Sequence, residues 1–254
     1  MNAGQPLPKR RVITVDISTG PFAQHIDRIA ELAGQRISSY VCCVNAHMTV
    51  EARAPGFAQV VNAAELATAD GMPVVYAMRL LHGVKQPRVA GNDLMPALLE
   101  AAAKRGLSVF LYGGTEEVQQ LIRDRIAREI PGLRIAGHHA PPFGPLHDMD
   151  LDREAERINA TGAQVVLVSL GCPKQEKWMG LMHGKVDAVM VGAGGAFLLY
   201  AGIDTRAPAW MRRLALEWVY RLWLEPRRLW RRYLVTNTVF LGLLVKALVT
   251  PRKD

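Results

Sequence analysis

The chain has 254 residues, half of them hydrophobic, which is enough to bury one large core or two smaller ones. A net charge of +8 and a pI near 9.7 point to an anionic partner: nucleic acid, membrane phosphate or a phosphorylated substrate. Glycine and proline usage is ordinary, which argues against long disorder away from the ends, and three cysteines (Cys42, Cys43, Cys172) offer neither an even disulfide framework nor metal-ligand spacing. Reduced thiols in a cytoplasmic protein are expected.

In chain order, the N-terminal MNAGQPLPKRR runs into VITVDIS rather than into a signal-type apolar segment, so no secretion signal is expected. Short, Val-rich apolar runs then recur: RVITVDI, SYVCCVN, SVFLYGG, QVVLVSLG and VDAVMVGAGG, several of them ending in Gly or Asn. Between them lie segments with helical spacing, at Leu94 to Arg105, Glu116 to Glu129, Leu151 to Thr161 and Lys174 to His183. Apolar strands without alternation, separated by helices, predict an α/β fold: a Rossmann-like parallel sheet with helices on both faces. Ligands of such a sheet bind beyond the carboxyl ends of its strands.

Composition changes after about Thr205. From Arg206 to Asp254 there are eleven Lys or Arg against three acids, and four of the five tryptophans. The stretch APAWMRRLALEWVYRLWLEPRRLWRRYL interleaves aromatics, leucines and arginines at helical spacing. Aromatic rings favour the bilayer interface and arginines the anionic headgroups. Residues 1–204 are therefore read as an α/β core and 205–254 as a C-terminal helical, membrane-associating appendage, the alternative being a helical hairpin packed on the sheet. The longest apolar run, Val239 to Val245, is interrupted by Lys246 and is too short to span a bilayer, which takes about 20 residues. Nucleic acid is the weaker partner because no binding module accompanies the basic segment.

Several strand exits carry residues able to do chemistry. In TADGMP, Asp70 either caps a helix or acts as a general base on a hydroxyl. In RVAGNDL, Asp93 reads as a cap, and Arg88 could pair with a carboxylate or a phosphate. Gly192 to Gly195 could open backbone N–H groups to phosphate oxygens, although no dinucleotide or Walker fingerprint is present. In SLGCPKQEKW, a strand leaves through Gly-Cys-Pro into a helix whose first residues, Lys174 and Gln175, suit an anion or an amide-bearing ring; an ordinary turn is the plainer reading. His138-His139 lacks the i,i+4 spacing and carboxylate partners of a metal site.

VNAHMTVEA, TADGMPVVYA, RVAGNDL, SLGCPKQEKW, GAGGAF and RAPAWMRRLALEWVYRL follow one another in the order and approximate spacing of the WecG/TagA/CpsF glycosyltransferases. The chain resembles that family from about Val12 to Tyr233. The resemblance implies an inverting, metal-independent transferase with no cofactor. Such an enzyme moves a sugar from a UDP-sugar to a polyprenyl-diphosphate-linked saccharide on the inner face of the cytoplasmic membrane. N-acetylmannosamine is the default donor sugar, with related hexoses or uronic acids as alternatives. By the same resemblance Asp70 is the candidate base, Asn45 lies in the pocket and Gln175 contacts the substrate site. Arg221, Arg228 and Arg231 of the appendage would meet the diphosphate. Cys43 is placed among the substrate-binding residues by the same resemblance, but departs from a block where many relatives carry Thr-Pro-Asn; a thiol is a poorer hydrogen-bond donor than a hydroxyl. His47 stands where relatives often carry an acid. A catalytically inactive scaffold of a polysaccharide assembly complex is the alternative that departure raises, and a homo-oligomer is compatible with the exposed β-to-α faces.

Overall fold

The computed structural model describes residues 5–208, 210–211, 216–224 and 226–250; within them, the side chains at 221, 228, 229 and 232 lie outside the described set. Its centre is a six-stranded, wholly parallel sheet built from β3 (Ser39–Val44), β4 (Leu66–Ala69), β5 (Ser108–Gly113), β6 (Arg134–His139), β7 (Val165–Ser169) and β8 (Val189–Gly192). Their spatial order is β4-β3-β8-β7-β5-β6. Every residue of β3, β4, β5 and β8 is buried, which is why these strands read as continuous apolar runs rather than as an alternation.

Two apolar clusters, one on each face, show how the sheet is covered. Tyr40, Cys42 and Val44 of β3 face one of them, with α2 (Ala46–Glu51), α3 (Pro55–Ala63), α4 (Met72–His82), α7 (Leu151–Asn159) and α8 (Lys174–Met182). Val41 and Cys43 face the other, with α1 (Phe22–Gly34), α5 (Gly91–Lys104), α6 (Glu116–Glu129) and α9 (Ala196–Tyr200). Trp178 of α8 stacks on Tyr112 of β5 at 4.2 Å between ring centroids, and both are fully buried. Such a pair contributes about 0.5–1.5 kcal/mol beyond its buried area.

Several sequence expectations meet differences here. RVITVDI, read as one strand, is a hairpin: β1 (Lys9–Val12) pairs antiparallel with β2 (Val15–Ser18), and Ile13 turns the chain at φ 57°. No Gly, Asn or Asp marks that turn, so residue type could not announce it. Two further strands carry weak signals. The segment LATA of β4 is short and Ala-rich, and β6 is a half-exposed edge containing Gly137 and two histidines. The predicted helices match closely; Glu116–Glu129 coincides with α6, and α5 starts three residues before Leu94.

The C-terminal segment holds α10 (Glu217–Leu224) and α11 (Pro226–Val249). Phe240 and Leu244 of α11 sit in the same cluster as α2 and α4, with Thr236 buried one turn earlier. That stripe, spaced i, i+4 and i+8, fixes α11 to the sheet's covering layer. No helix among the described residues is long and apolar enough to cross a membrane.

Candidate active site

Four neighbouring strands, β4, β3, β8 and β7, deliver their exits to one end of the sheet. The connection from β3 runs onto one face and that from β8 onto the other, so a crevice opens between them. At β4 the chain leaves through Asp70, whose N–H donates to Val44 O at 3.0 Å. Asn45, the residue after β3, is its lateral neighbour, because Val44 and Ala69 are register partners. A Cβ placed on Gly71 would lie 3.4 Å from that of Asn45. Asn45 caps α2, its Oδ1 accepting from Met48 N–H at 3.1 Å. The sequence thus spends one end of this amide on starting a helix and sets the side chain beside Asp70.

Asp70 stands one residue before the N-cap position of α4, which is Gly71. Arg88 approaches from the extended segment before α5, where Val89 N–H donates to Ala69 O at 2.9 Å. Its guanidinium pairs with Asp93 at 3.2 Å and with Glu217 of α10. Burial alone would lower the arginine's pKa, but bonding to Glu217 and the fields of Glu217, Asp70 and Asp93 outweigh it and hold the cation more firmly. A carboxylate is one of the two partners the sequence left open for Arg88, and Asp93 and Glu217 both supply one. Asp93 also receives Arg206, and it stands inside the first turn of α5 rather than at its cap, which is Ala90.

The β8 exit forms the opposite wall. Gly192 ends the strand, Gly194 follows at φ 51°, and Gly195 is exposed. Gln175 lies beneath this loop, 4% exposed; its Oε1 accepts from Gly194 N–H at 3.1 Å. A Cβ on Gly192 would fall 2.5 Å from Gln175 Nε2, so a side chain there would displace that amide. Cys43, expected at the substrate, is instead 6% exposed in the core beneath Asp70, its sulfur 3.6 Å from where a Gly91 Cβ would lie. Burial, and then the Asp70 charge, push its thiol pKa far up, outweighing a hydrogen bond with Thr68, so the thiol stays protonated in the core.

Arg231 is exposed on α11, and the side chains of Arg221 and Arg228 fall outside the described residues. Lys174, a candidate anion ligand, donates to Gly144 O at 2.7 Å. His138 and His139 lie near Glu116 and Glu154, and among the described residues no group of three His, Cys, Asp or Glu could hold a metal. A cavity of about 740 Å³ lies apart from Asp70, between α5, α6 and α9. It is walled by Glu100, Arg125, Glu129 and Tyr200, among others.

The sequence profile of the glycosyl transferase WecG/TagA/CpsF family matches residues 10–254. The chain belongs to this family. Among its relatives is an N-acetylglucosaminyldiphosphoundecaprenol N-acetyl-beta-D-mannosaminyltransferase of Bacillus subtilis (strain 168), 36% identical over 202 residues, or 79% of this chain and 77% of that protein. A protein of the same name from Bacillus spizizenii is 32% identical over 232 residues, covering 91% and 87% of the two chains. This WecG/TagA/CpsF member is therefore a glycosyltransferase, and its core is the α/β sheet described above.

Two participants in the site escaped the sequence reading. Glu217 is 129 residues from Arg88, and nothing local marks either as the other's partner. Glu176 is fully buried behind Gln175. A signal for that one existed: Gln175, Trp178, Met179 and Met182 share helical spacing, which turns the start of α8 inward rather than toward solvent.

Proposed function

We propose that this glycosyltransferase moves a sugar from a UDP-sugar to a saccharide linked to polyprenyl diphosphate, with inversion and without a metal, in bacterial cell-surface or exopolysaccharide synthesis. The observation that carries the reading is the juxtaposition of Asp70 with Asn45 and Arg88 at the rim of the sheet. The names of the two Bacillus relatives, which specify a lipid-linked acceptor and an N-acetylmannosamine group, support the substrate class.

Asp70 takes the proton from the acceptor hydroxyl as its oxygen attacks the anomeric carbon. The C–O bond to UDP breaks, and negative charge grows on the departing diphosphate. Arg88, backbone N–H groups of the Gly192–Gly195 loop and the appendage arginines 221, 228 and 231 stabilise that charge. Asn45 and Gln175 shape the walls around the donor. Cys43 serves as packing under Asp70, so the thiol takes no hydrogen-bonding role in the cleft and removes the motive for an inactive scaffold.

The enzyme works at the inner face of the cytoplasmic membrane, where a lipid-linked acceptor would be presented. Support comes from α11, whose outward side exposes Leu234, Leu241, Val245 and Leu248 at and beyond the end of the arginine- and tryptophan-rich segment. Incubating the purified chain with a panel of UDP-sugars and a synthetic GlcNAc-diphosphate-lipid tests the proposal. UDP release that requires the acceptor is the expected result. Release from no donor in the panel, with the acceptor present in vesicles, would refute it.

A further inference from the structure

A buried carboxyl stands directly behind the donor-side loop. Glu176 is 0% exposed, its Oε1 accepts from Gln175 Nε2 at 2.9 Å, and Cys172 is a second side-chain partner of the carboxyl. The two ends of the Gln175 amide are chemically distinct. Gly194 N–H can only donate, so the amide carbonyl must face it, and the NH₂ must then find an acceptor on the other side. Glu176 is that acceptor. The fit is tight on the loop side as well, because even a methyl group on Gly192 would displace the Gln175 amide. Carboxyl, amide and loop therefore form one chain of contacts with little slack.

We infer that Glu176 is a positioning residue: its carboxyl orients the Gln175 amide, and that amide holds the Gly192–Gly195 loop in the form that receives the UDP group. The inference rests on the assignment of this loop to the UDP-sugar site. Glu176 does not reach the cleft and takes no part in the bond changes. Burial pushes its carboxyl pKa up, toward the neutral acid, which can still offer Oε1 as an acceptor. An apolar residue at 176 would leave the amide NH₂ buried without a partner and free the amide to turn, carrying Gly194 with it.

Titration calorimetry with UDP on the full chain separates the possibilities, with thermal unfolding recorded for each variant. Glu176→Met is expected to weaken UDP binding by about tenfold, because a buried amide donor left without a partner acts at that scale. Glu176→Gln keeps an acceptor oxygen and should stay within about threefold of the parent. The decisive pair is an exchange. Gln175→Glu places two carboxyls face to face and weakens binding, whereas Q175E with E176Q restores one donor and one acceptor and should recover most of the loss. That recovery decides the matter even if Glu176→Met does not fold. A Glu176→Met protein that folds and binds UDP normally, or an exchange that recovers nothing, would overturn the inference. Gly195→Glu is the control for the site itself: Gly195 is exposed at φ −63°, so a side chain is tolerated, and the added charge should repel the diphosphate. Unchanged UDP binding there would overturn the loop assignment and the inference with it. Weakened binding there beside a normal Glu176→Met would overturn the inference alone.

Discussion

At the residue scale, the environment of Glu176 makes a prediction about stability that is separate from activity. Its carboxyl pKa is raised in the folded protein, first by burial, from an ordinary value of 4.5. The folded state therefore holds this proton more tightly than the unfolded chain does. Below about 4.5 both states are protonated and the group's contribution is intact; as the pH climbs from there through the folded-state value, that contribution is lost. Glu176→Gln cannot titrate. Chemical denaturation of both proteins across pH 4 to 8 should therefore show the variant gaining on the parent as pH rises, and a constant difference would contradict the buried-acid description. Asp70 and Cys43 illustrate what residue-level reading can and cannot reach. A carboxylate between a strand and a proline-led helix is visible as a cap or a base, and the fold sets it one residue before the N-cap position of α4, which is Gly71. The inward turn of Cys43 depends on which face of β3 each alternate residue takes, and in a strand buried on both faces the sequence carries no polarity to reveal it.

At the scale of elements, α11 carries two different faces. Thr236, Phe240 and Leu244 point into the layer over the sheet, while Leu241 and Val245 are 59% and 58% exposed. Removing the whole segment would strip Phe240 from the core, and loss of a buried Phe side chain costs about 3–5 kcal/mol. A change confined to the outer face is the cleaner probe of membrane attachment. Leu241→Glu with Val245→Glu removes two side chains whose burial in lipid would supply about 1.5–3 kcal/mol each, and it adds charges that anionic lipids repel. Co-sedimentation with phosphatidylglycerol vesicles should fall by at least about tenfold, with folding stability within about 1 kcal/mol of the parent. Equal sedimentation would contradict the assigned face. The helical character of this segment was legible from its Trp/Arg/Leu spacing. Its division into a docked and an outward face was not, because both faces are apolar and only packing against α2 and α4 separates them.

At the scale of the whole molecule, the parallel sheet was readable because its strands are Val-rich and uninterrupted, and because helices of predictable length lie between them. The order β4-β3-β8-β7-β5-β6 was not, since strand order depends on crossovers that leave no local mark. That order is what puts Asp70, Asn45 and the Gly192–Gly195 loop at adjacent exits. The C-terminal segment is then clasped across the same end by Glu217 on Arg88 and Arg206 on Asp93, joining residues more than a hundred positions apart. Such an arrangement suits a reaction in which the base and the diphosphate-stabilising cations come from distant parts of the chain. The rate of a single transfer from enzyme-bound UDP-sugar to the lipid acceptor, compared between the parent and Asp70→Asn, tests this most directly. The expected result is a transfer step slowed by about 10²- to 10⁴-fold with UDP affinity unchanged; a folded Asp70→Asn enzyme that transfers at the parent's rate would contradict it.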